Sequence, residues 1–535
     1  MPVLSIFSDF PKFPKEQNTM WQSVALAGVL VFVTSRILHF LWNLKSVAYL
    51  PGFRCAFAPL SLTGAILPTS YLNPGLDWQW MWRASVYQYY GSRTISSVPF
   101  LSGSPYICTA SLDLSKQVLS GAPGVFKSPQ SMAALMLWGD NVISANYDAY
   151  RRHRRIVGPA FSGSTYVEVA RETSRLYHEM MDGEQWSERN TFSVTSINKY
   201  ISKFALGIIT RCGFGLPFPW VNAADDGTMS FDTALTIVSE GIITRLATPR
   251  WAYKLPIKKL RDLDEAYCTL SMFMHSMIAT KNEELASAAS DQELSATDLF
   301  TRLIHASGAE GKNGLNDEEL IGNMFAFLFA GHETTAHTIS AALALLAFHE
   351  DDQDRLVTHI REVLPDGRDP TLDDISRLDK VTACFWEAAR MFPAGSIVTR
   401  DTTETTTFTF PPEERRDPLV VPPGIRIFID MIGLNYNPEA FAEPERFNPS
   451  RWYGARESDL LAFGLGPRAC LGRRFAVTEA VCFLTVFVRD WKIGTCLKNG
   501  ETREQWRQRV LQGGLVGLAF GVRDVSIGLT KRSKA

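Results

Sequence analysis

Phe463-Gly464-Leu465-Gly466-Pro467-Arg468-Ala469-Cys470-Leu471-Gly472 brings one cysteine, one arginine and three glycines into ten residues, just before a helix-like stretch from Arg473. Glycines let a backbone turn tightly and come close to a flat ligand. A cysteine held there as thiolate is a soft, strongly donating metal ligand. Arg468, two residues earlier, can pair with a carboxylate of the same ligand. Standing alone, such a cysteine is more often a buried, inert thiol.

Three more constellations shift that balance. Ala330-Gly331-His332-Glu333-Thr334-Thr335 places four consecutive polar side chains inside a long apolar stretch. Polar groups in a buried helix are costly unless satisfied or used. Gly331 costs about 1 kcal/mol against alanine and invites a local distortion. Taken alone, Thr334 reads first as a hydroxyl bonded back to a helix carbonyl. His332-Glu333 with His337 has the look of a zinc-protease motif, but histidines five apart lie ~140° around a helix and cannot share one metal ion. Glu387 and Arg390 are three apart, which on a helix makes an ordinary surface pair or half of a buried cluster. Tyr150-Arg151-Arg152-His153-Arg154-Arg155 is the fourth.

Phe463, Gly466, Arg468, Cys470 and Gly472 match every fixed position of F-x-x-G-x-R-x-C-x-G, and with it the four motifs, in order, resemble the cytochrome P-450 family over nearly the whole chain. Membrane-anchored fungal members are the most similar in style. The resemblance implies heme b with Cys470 as its thiolate iron ligand, an arrangement that pushes electron density toward the opposite axial position and favours O–O cleavage. It assigns proton delivery to Glu333 and Thr334. Tyr150, Arg154, Arg400, Phe463, Gly466, Arg468 and Gly472 become cofactor-binding, with Tyr150 standing where the family usually has tryptophan. Glu387 and Arg390 become a structural cluster, its third member expected at Arg446 of Pro444-Glu445-Arg446-Phe447. Phe325, Phe329, Ala394, Ile397 and Leu515 become the substrate pocket.

The implied reaction is monooxygenation of a lipophilic small molecule (terpenoid, sterol or fatty chain) in secondary metabolism. Its partners are an NADPH-cytochrome P-450 reductase, so that NADPH acts only indirectly, with cytochrome b5 as an alternative donor, and membrane lipid. Arg151, Arg152, Arg155, Arg473 and Arg474 are expected to form a basic patch steering an acidic reductase. Two other classes remain: a reductase-independent haem-thiolate isomerase, dehydratase or peroxygenase, and a non-catalytic membrane haem protein.

The elements that must position these residues follow from pattern. The chain has 535 residues, 46% of them hydrophobic, enough for a large core. A net charge of -2 without a long basic run gives nucleic-acid binding no electrostatic support. Eight scattered cysteines without a C-x-x-C pair read as reduced thiols in a cytosol-facing protein. Residues 21–42 are mainly apolar and would span ~33 Å as a helix, about one hydrocarbon core. Trp21 and Trp42 sit where interfacial aromatics belong, and Arg36 has to snorkel. A cleaved signal peptide is the rival; Ser46-Val47-Ala48 resembles a cleavage site but lies far past the main apolar run. The expected organisation is a tail at 1–20, an anchor at 21–42, a linker at 43–54 and one haem-binding domain at 55–535. The expected location is the endoplasmic reticulum membrane, single-pass, with the domain facing the cytoplasm. The fold class is mainly α with minor antiparallel β, the P-450 fold preceded by one transmembrane helix. Period predicts helices near 148–159, 167–181, 193–210 and 260–286, a loop at 307–315, and a long core helix capped by Asn316 and Glu319 that runs to about His349. Strands are expected at 405–410 and 426–429, with a hairpin of 515–520 and 525–529.

Overall fold

The computed structural model describes residues 15–59, 61–121, 124–221, 229–287, 298–411, 414 and 416–533. Of the expected tail, residues 1–14 lie outside that set. The helices that place the site are α1 (Lys15–Ser46), α2 (Tyr147–Val157), α3 (Gly163–Gly183), α4 (Ile197–Ile208), α5 (Phe231–Ala247), α6 (Lys258–Ser287), α7 (Leu299–Ala309), α8 (Asp317–Phe348), α9 (Asp379–Met391) and α10 (Arg473–Asp490). The strands are β1 (Gly52–Phe57), β2 (Thr94–Ser102), β3 (Tyr106–Thr109), β4 (Val125–Phe126), β5 (Thr191–Val194), β6 (Ile397–Thr402), β7 (Thr406–Phe408), β8 (Leu419–Val421), β9 (Arg426–Asp430), β10 (Trp491–Thr495), β11 (Gly513–Val516), β12 (Ala519–Val522) and β13 (Ile527–Lys531).

α8 is the axis of the domain. Its start is fixed by a full capping box: the Asn316 side chain accepts from the Glu319 N–H, and Glu319 reaches back to the Asn316 N–H. Asp317, Glu318 and Glu319 complement the positive end of the helix dipole. From Leu320 to Ala347 nearly every residue is buried, because α4, α6, α9 and the C-terminal hairpin surround it. A Cβ on Gly331 would meet the Ile209 side chain at 2.9 Å, so glycine here admits the π-helical turn Ile209–Gly213 that continues α4.

The largest sheet runs β1-β2-β3-β9-β6-β4. It is mixed: the antiparallel pairs expected in this mainly α fold are joined by two parallel ones, β1–β2 and β3–β9.

Several expected boundaries move for local reasons. The stretch 193–210 is not one helix: Thr191–Val194 alternates as β5 and pairs with β13, and α4 starts at Ile197. The expected strand 515–520 is broken by Gly517, whose φ of +61° makes the turn between β11 and β12. The last strand, β13, instead lies between β10 and β5. The loop expected at 307–315 is occupied by the end of α7 and a short turn, Gly311–Asn313. α1 runs on to Ser46, and β1 begins at Gly52, so most of the expected linker is structured. Ala48 and Tyr49 take positive φ between them, ahead of Pro51.

Candidate active site

α8, the start of α10, β6 and the loop before α10 enclose a cavity of about 430 Å³. Cys470 lies on its wall. The Cys470 N–H donates to Phe463 O at 2.8 Å and closes the loop. Gly464 and Gly466 carry the positive φ values, +76° and +65°, that the reversal needs. Cys470 is exposed to the cavity. Burial pushes the thiol up; the Gly472 N–H, Arg473 and Arg154 pull the other way.

The opposite chemistry lines the same space. Lys127, Arg154, Arg400 and Arg468 all reach the cavity, and among the described residues no Asp or Glu lines it. Burial holds the Arg400 guanidinium down to about 10, with Arg468 adding repulsion. Lys127 is pushed well below the usual lysine range by burial, then by Arg400 and Arg468. Arg468 Nη1 is buried with no partner, and its guanidinium sits 3.4 Å over the Tyr150 ring. Uncompensated buried cations of this kind require anions. One cysteine sulfur and four cations facing a wide apolar slot fit haem with its two propionates.

Tyr150, Arg154, Arg400, Phe463, Arg468, Cys470 and Gly472 all line the cavity. Gly466 does not; it shapes the loop, with a prospective Cβ 3.3 Å from Leu119 O. Tyr150 donates its hydroxyl to Pro467 O at 2.6 Å and so braces the cysteine loop. Arg154 Nη1 donates to Ala469 O at 3.2 Å. Lys127 was invisible in the sequence, where it is a lone lysine outside every motif.

Thr334 faces the cavity, and its hydroxyl donates to Ala330 O at 2.8 Å, the bland reading of a helical threonine. Glu333 is not in the cavity wall. It points to the β11–β12 turn, where a Cβ on Gly517 would meet Glu333 Oε1 at 2.3 Å. Burial raises its carboxyl to about 7, against the Leu518 N–H, with Glu240 adding repulsion. Its Oε2 has no hydrogen-bond partner.

The pocket expectation needs correction. Ala394 lines the cavity, but Phe325 and Phe329 do not. They share a stripe of α8 turned toward Trp138, whose ring lies 4.6 Å from that of Phe325. The cavity stripe is Phe327, Ala330, Gly331, Thr334, Thr335 and Thr338. Ile397 and Leu515 line a separate cavity of about 40 Å³ beside Trp78, Trp80 and Phe520. Strand alternation explains the first: Val398 and Arg400 face the large cavity, and Ile397 faces away.

The ion cluster also differs. Glu387 and Arg390 are fully buried and paired at 2.9 Å. The third member is Arg451, 3.0 Å from Glu387, not Arg446. Arg446 pairs at the surface with Glu443 and gives the cluster only its backbone carbonyl. The chain holds two Pro-x-Arg-aromatic quartets five residues apart, Pro444-Glu445-Arg446-Phe447 and Pro449-Ser450-Arg451-Trp452. Phe447 and Trp452 are both buried, but only Trp452 donates to Glu387, at 2.8 Å, and only Arg451 turns its guanidinium inward.

The expected basic patch is largely neutralised. Arg151 pairs with Asp148, Arg152 with Glu319, Arg155 with Glu310 and Arg473 with Glu457. Arg474 lies over the Tyr166 ring.

Comparison with known proteins agrees with this geometry. The family profile described as Cytochrome P450 matches residues 99–513. Cytochrome P450 monooxygenase 124 of Postia placenta is 32% identical over 86% of this chain and 90% of its own length. Cytochrome P450 monooxygenase prx9 of Penicillium rubens is 27% identical over 94% and 97%. Cyclooctat-9-en-7-ol 5-monooxygenase of Streptomyces melanosporofaciens is 28% identical over 71% and 78%. The crystal structure of the cytochrome P450DA heme domain superposes with a TM-score of 0.68 at 19% identity, covering 84% of this chain and 92% of that one, which shows the shared fold. With a sulfur-lined, cation-walled cavity on this fold, and with these matches, the chain belongs to the cytochrome P450 family of monooxygenases.

Proposed function

We propose that the enzyme inserts one oxygen atom from dioxygen into a lipophilic substrate of secondary metabolism, while held to the endoplasmic reticulum membrane by α1 and fed electrons by an NADPH-dependent reductase. The observation that carries this is a cysteine lining a cavity walled, among the described residues, by four cations and no carboxylate. Cys470 would hold the haem iron, and Lys127, Arg154, Arg400 and Arg468 its propionates. Bound there, the haem supplies dioxygen activation for oxygen insertion into a carbon–hydrogen bond, with two electrons and two protons completing ROH and water.

The protein's own residues do the rest. Ala330, Ala394, Val398 and Met431 present apolar surface that excludes water and orients an apolar substrate by shape. Thr334 lies on the cavity side of α8, and its hydroxyl would serve there on leaving Ala330 O, to which it now donates. Glu333, with its carboxyl raised to about 7, exchanges protons near neutral pH from the hairpin side of the same turn. The name of the Streptomyces relative gives an alcohol as the substrate of a monooxygenation, which suits a lining with apolar walls and threonine hydroxyls.

Purified enzyme reconstituted with a reductase should oxidise lipophilic candidates only when NADPH and dioxygen are both present. Turnover without reductase, by substrate alone or with peroxide, would move the enzyme to the isomerase, dehydratase or peroxygenase class.

A further inference from the structure

Two glycines of the C-terminal hairpin sit on two titratable residues of α8. A Cβ on Gly517 would lie 2.3 Å from Glu333 Oε1, 3.1 Å from its Cδ and 3.3 Å from Oε2. A Cβ on Gly521 would lie 2.8 Å from the Cβ, Cγ and Nδ1 of His337. Residues four apart share a helix face, so this is the face of α8 that the hairpin covers.

Gly517 answers two separate demands. Val516 pairs with Ala519, which leaves Gly517 and Leu518 as a two-residue loop. The φ of Gly517 is +61°, as glycine has at the first position of a II′ turn. Asparagine also tolerates that backbone. What asparagine lacks is the open space, because the Glu333 carboxyl lies where its Cβ would be. Turn chemistry alone therefore does not account for the glycine.

The carboxyl sits in a socket. Gly517 floors it, the Leu518 N–H faces it and favours its charged form, and Oε2 is buried with no hydrogen-bond partner. The exposed Glu240 of α5 adds like charge. His332 and His337 are both held down by burial, and Arg523 adds its repulsion to His337. Burial is the largest effect on Glu333, so in the socket it keeps a proton up to about 7. In water the same group would be ionised at neutral pH and hold no proton to give. Thr334, next in the chain and about 100° around the helix, faces the cavity. A carboxyl with an unmade hydrogen bond is a costly filling for a purely structural socket, where an apolar side chain would serve better.

We propose that the Gly517–Leu518 turn is the positioning element of proton delivery: it keeps the Glu333 carboxyl out of water beside the cavity, loaded with the proton that Thr334 takes inward. Gly517 and Leu518 are absent from the cavity lining and act through Glu333. The inference rests on the reading of Glu333 and Thr334 as proton carriers.

The test uses the full-length, haem-loaded chain. Infrared difference spectra between the parent and Glu333→Gln isolate the carbonyl stretch of the protonated Glu333 carboxyl from those of Asp430 and Glu479, which burial also raises. In the parent this band should titrate at about 7. Gly517→Asn keeps the turn and fills the socket, and its midpoint should fall toward the ordinary 4.5. Leu518→Pro removes the facing N–H, with a fixed φ that suits the second position of such a turn, and its midpoint should rise. Opposite shifts from adjacent residues cannot come from general loosening. Gly500→Asn is the strain control: its φ is also positive, +76°, and a Cβ there meets nothing within 4 Å, so it should titrate like the parent. With reductase and NADPH at neutral pH, Gly517→Asn should release as much extra peroxide per NADPH as Glu333→Gln. Midpoints that stay at about 7 in both turn variants, or that move together, overturn the inference. So does parent-like peroxide release from a Gly517→Asn enzyme whose midpoint has fallen. If Glu333→Gln itself releases no more peroxide than the parent, the carrier reading fails and takes the inference with it, whatever the midpoints.

Discussion

Arg451 Nε lies 3.0 Å from Glu387 Oε1 and completes a cluster in which the carboxylate also accepts from Arg390, Trp452 and the Asn448 N–H. It joins α9 to the segment that leads into the Cys470 loop. Arg451→Ala removes one charge-assisted hydrogen bond from Glu387, which keeps Arg390, Trp452 and the Asn448 N–H, and should cost ~1.5–3 kcal/mol with weakened haem retention. Arg446→Ala, which removes a surface pair, should stay within ~0.5 kcal/mol. Urea unfolding followed in the Soret band decides; equal effects of the two variants would contradict the assignment.

Glu333 makes stability depend on pH in a stated direction. Its carboxyl is raised from 4.5 to about 7 by burial. The stability from the protonated form is therefore complete below pH 4.5 and is lost as pH rises through about 7. Glu333→Gln removes that loss. The variant should match the parent at pH 4.5 and exceed it at pH 8, by on the order of 3 kcal/mol at most. A gap in melting temperature that does not change with pH would show that Glu333 is ionised throughout.

Thr334→Ala should keep haem and substrate binding and raise peroxide released per NADPH consumed, while Thr334→Ser should restore coupling. If both variants couple like the parent, the hydroxyl that now donates to Ala330 O is only a helix-internal bond.

Two phenylalanines on α8 separate pocket from core. Phe327 borders the cavity and Phe325 packs on Trp138. Phe327→Ala should change which substrates shift the haem spectrum, with a smaller stability loss. Phe325→Ala should cost ~3–5 kcal/mol and leave substrate preference unchanged. The reverse pattern would place Phe325 on the substrate.

Local pattern carried much of the fold. The Asn316–Glu319 capping box and the proline-free apolar run set α8 almost to the residue. The ten-residue loop carried the site because its glycines and Cys470 act within one turn. What failed needed three dimensions. Choosing Arg451 over Arg446 depends on which of two similar quartets turns its arginine toward Glu387. Lys127 matters only because folding brings it to Arg400 and Arg468. The faces of α8 that meet Trp138 or the cavity differ by about half a turn, and an all-round apolar helix gives no period from which to choose. The carboxylates that offset the surface arginines are mostly remote in sequence, as Glu319 is from Arg152.

The central claim is that Cys470 binds haem iron as a thiolate. The reduced, carbon monoxide difference spectrum of the haem-loaded protein tests it, with Cys470→Ser beside it. A strongly red-shifted Soret band in the parent, absent in the variant, is the predicted result. A folded, haem-loaded parent without that band, or a variant that keeps it, would contradict the account.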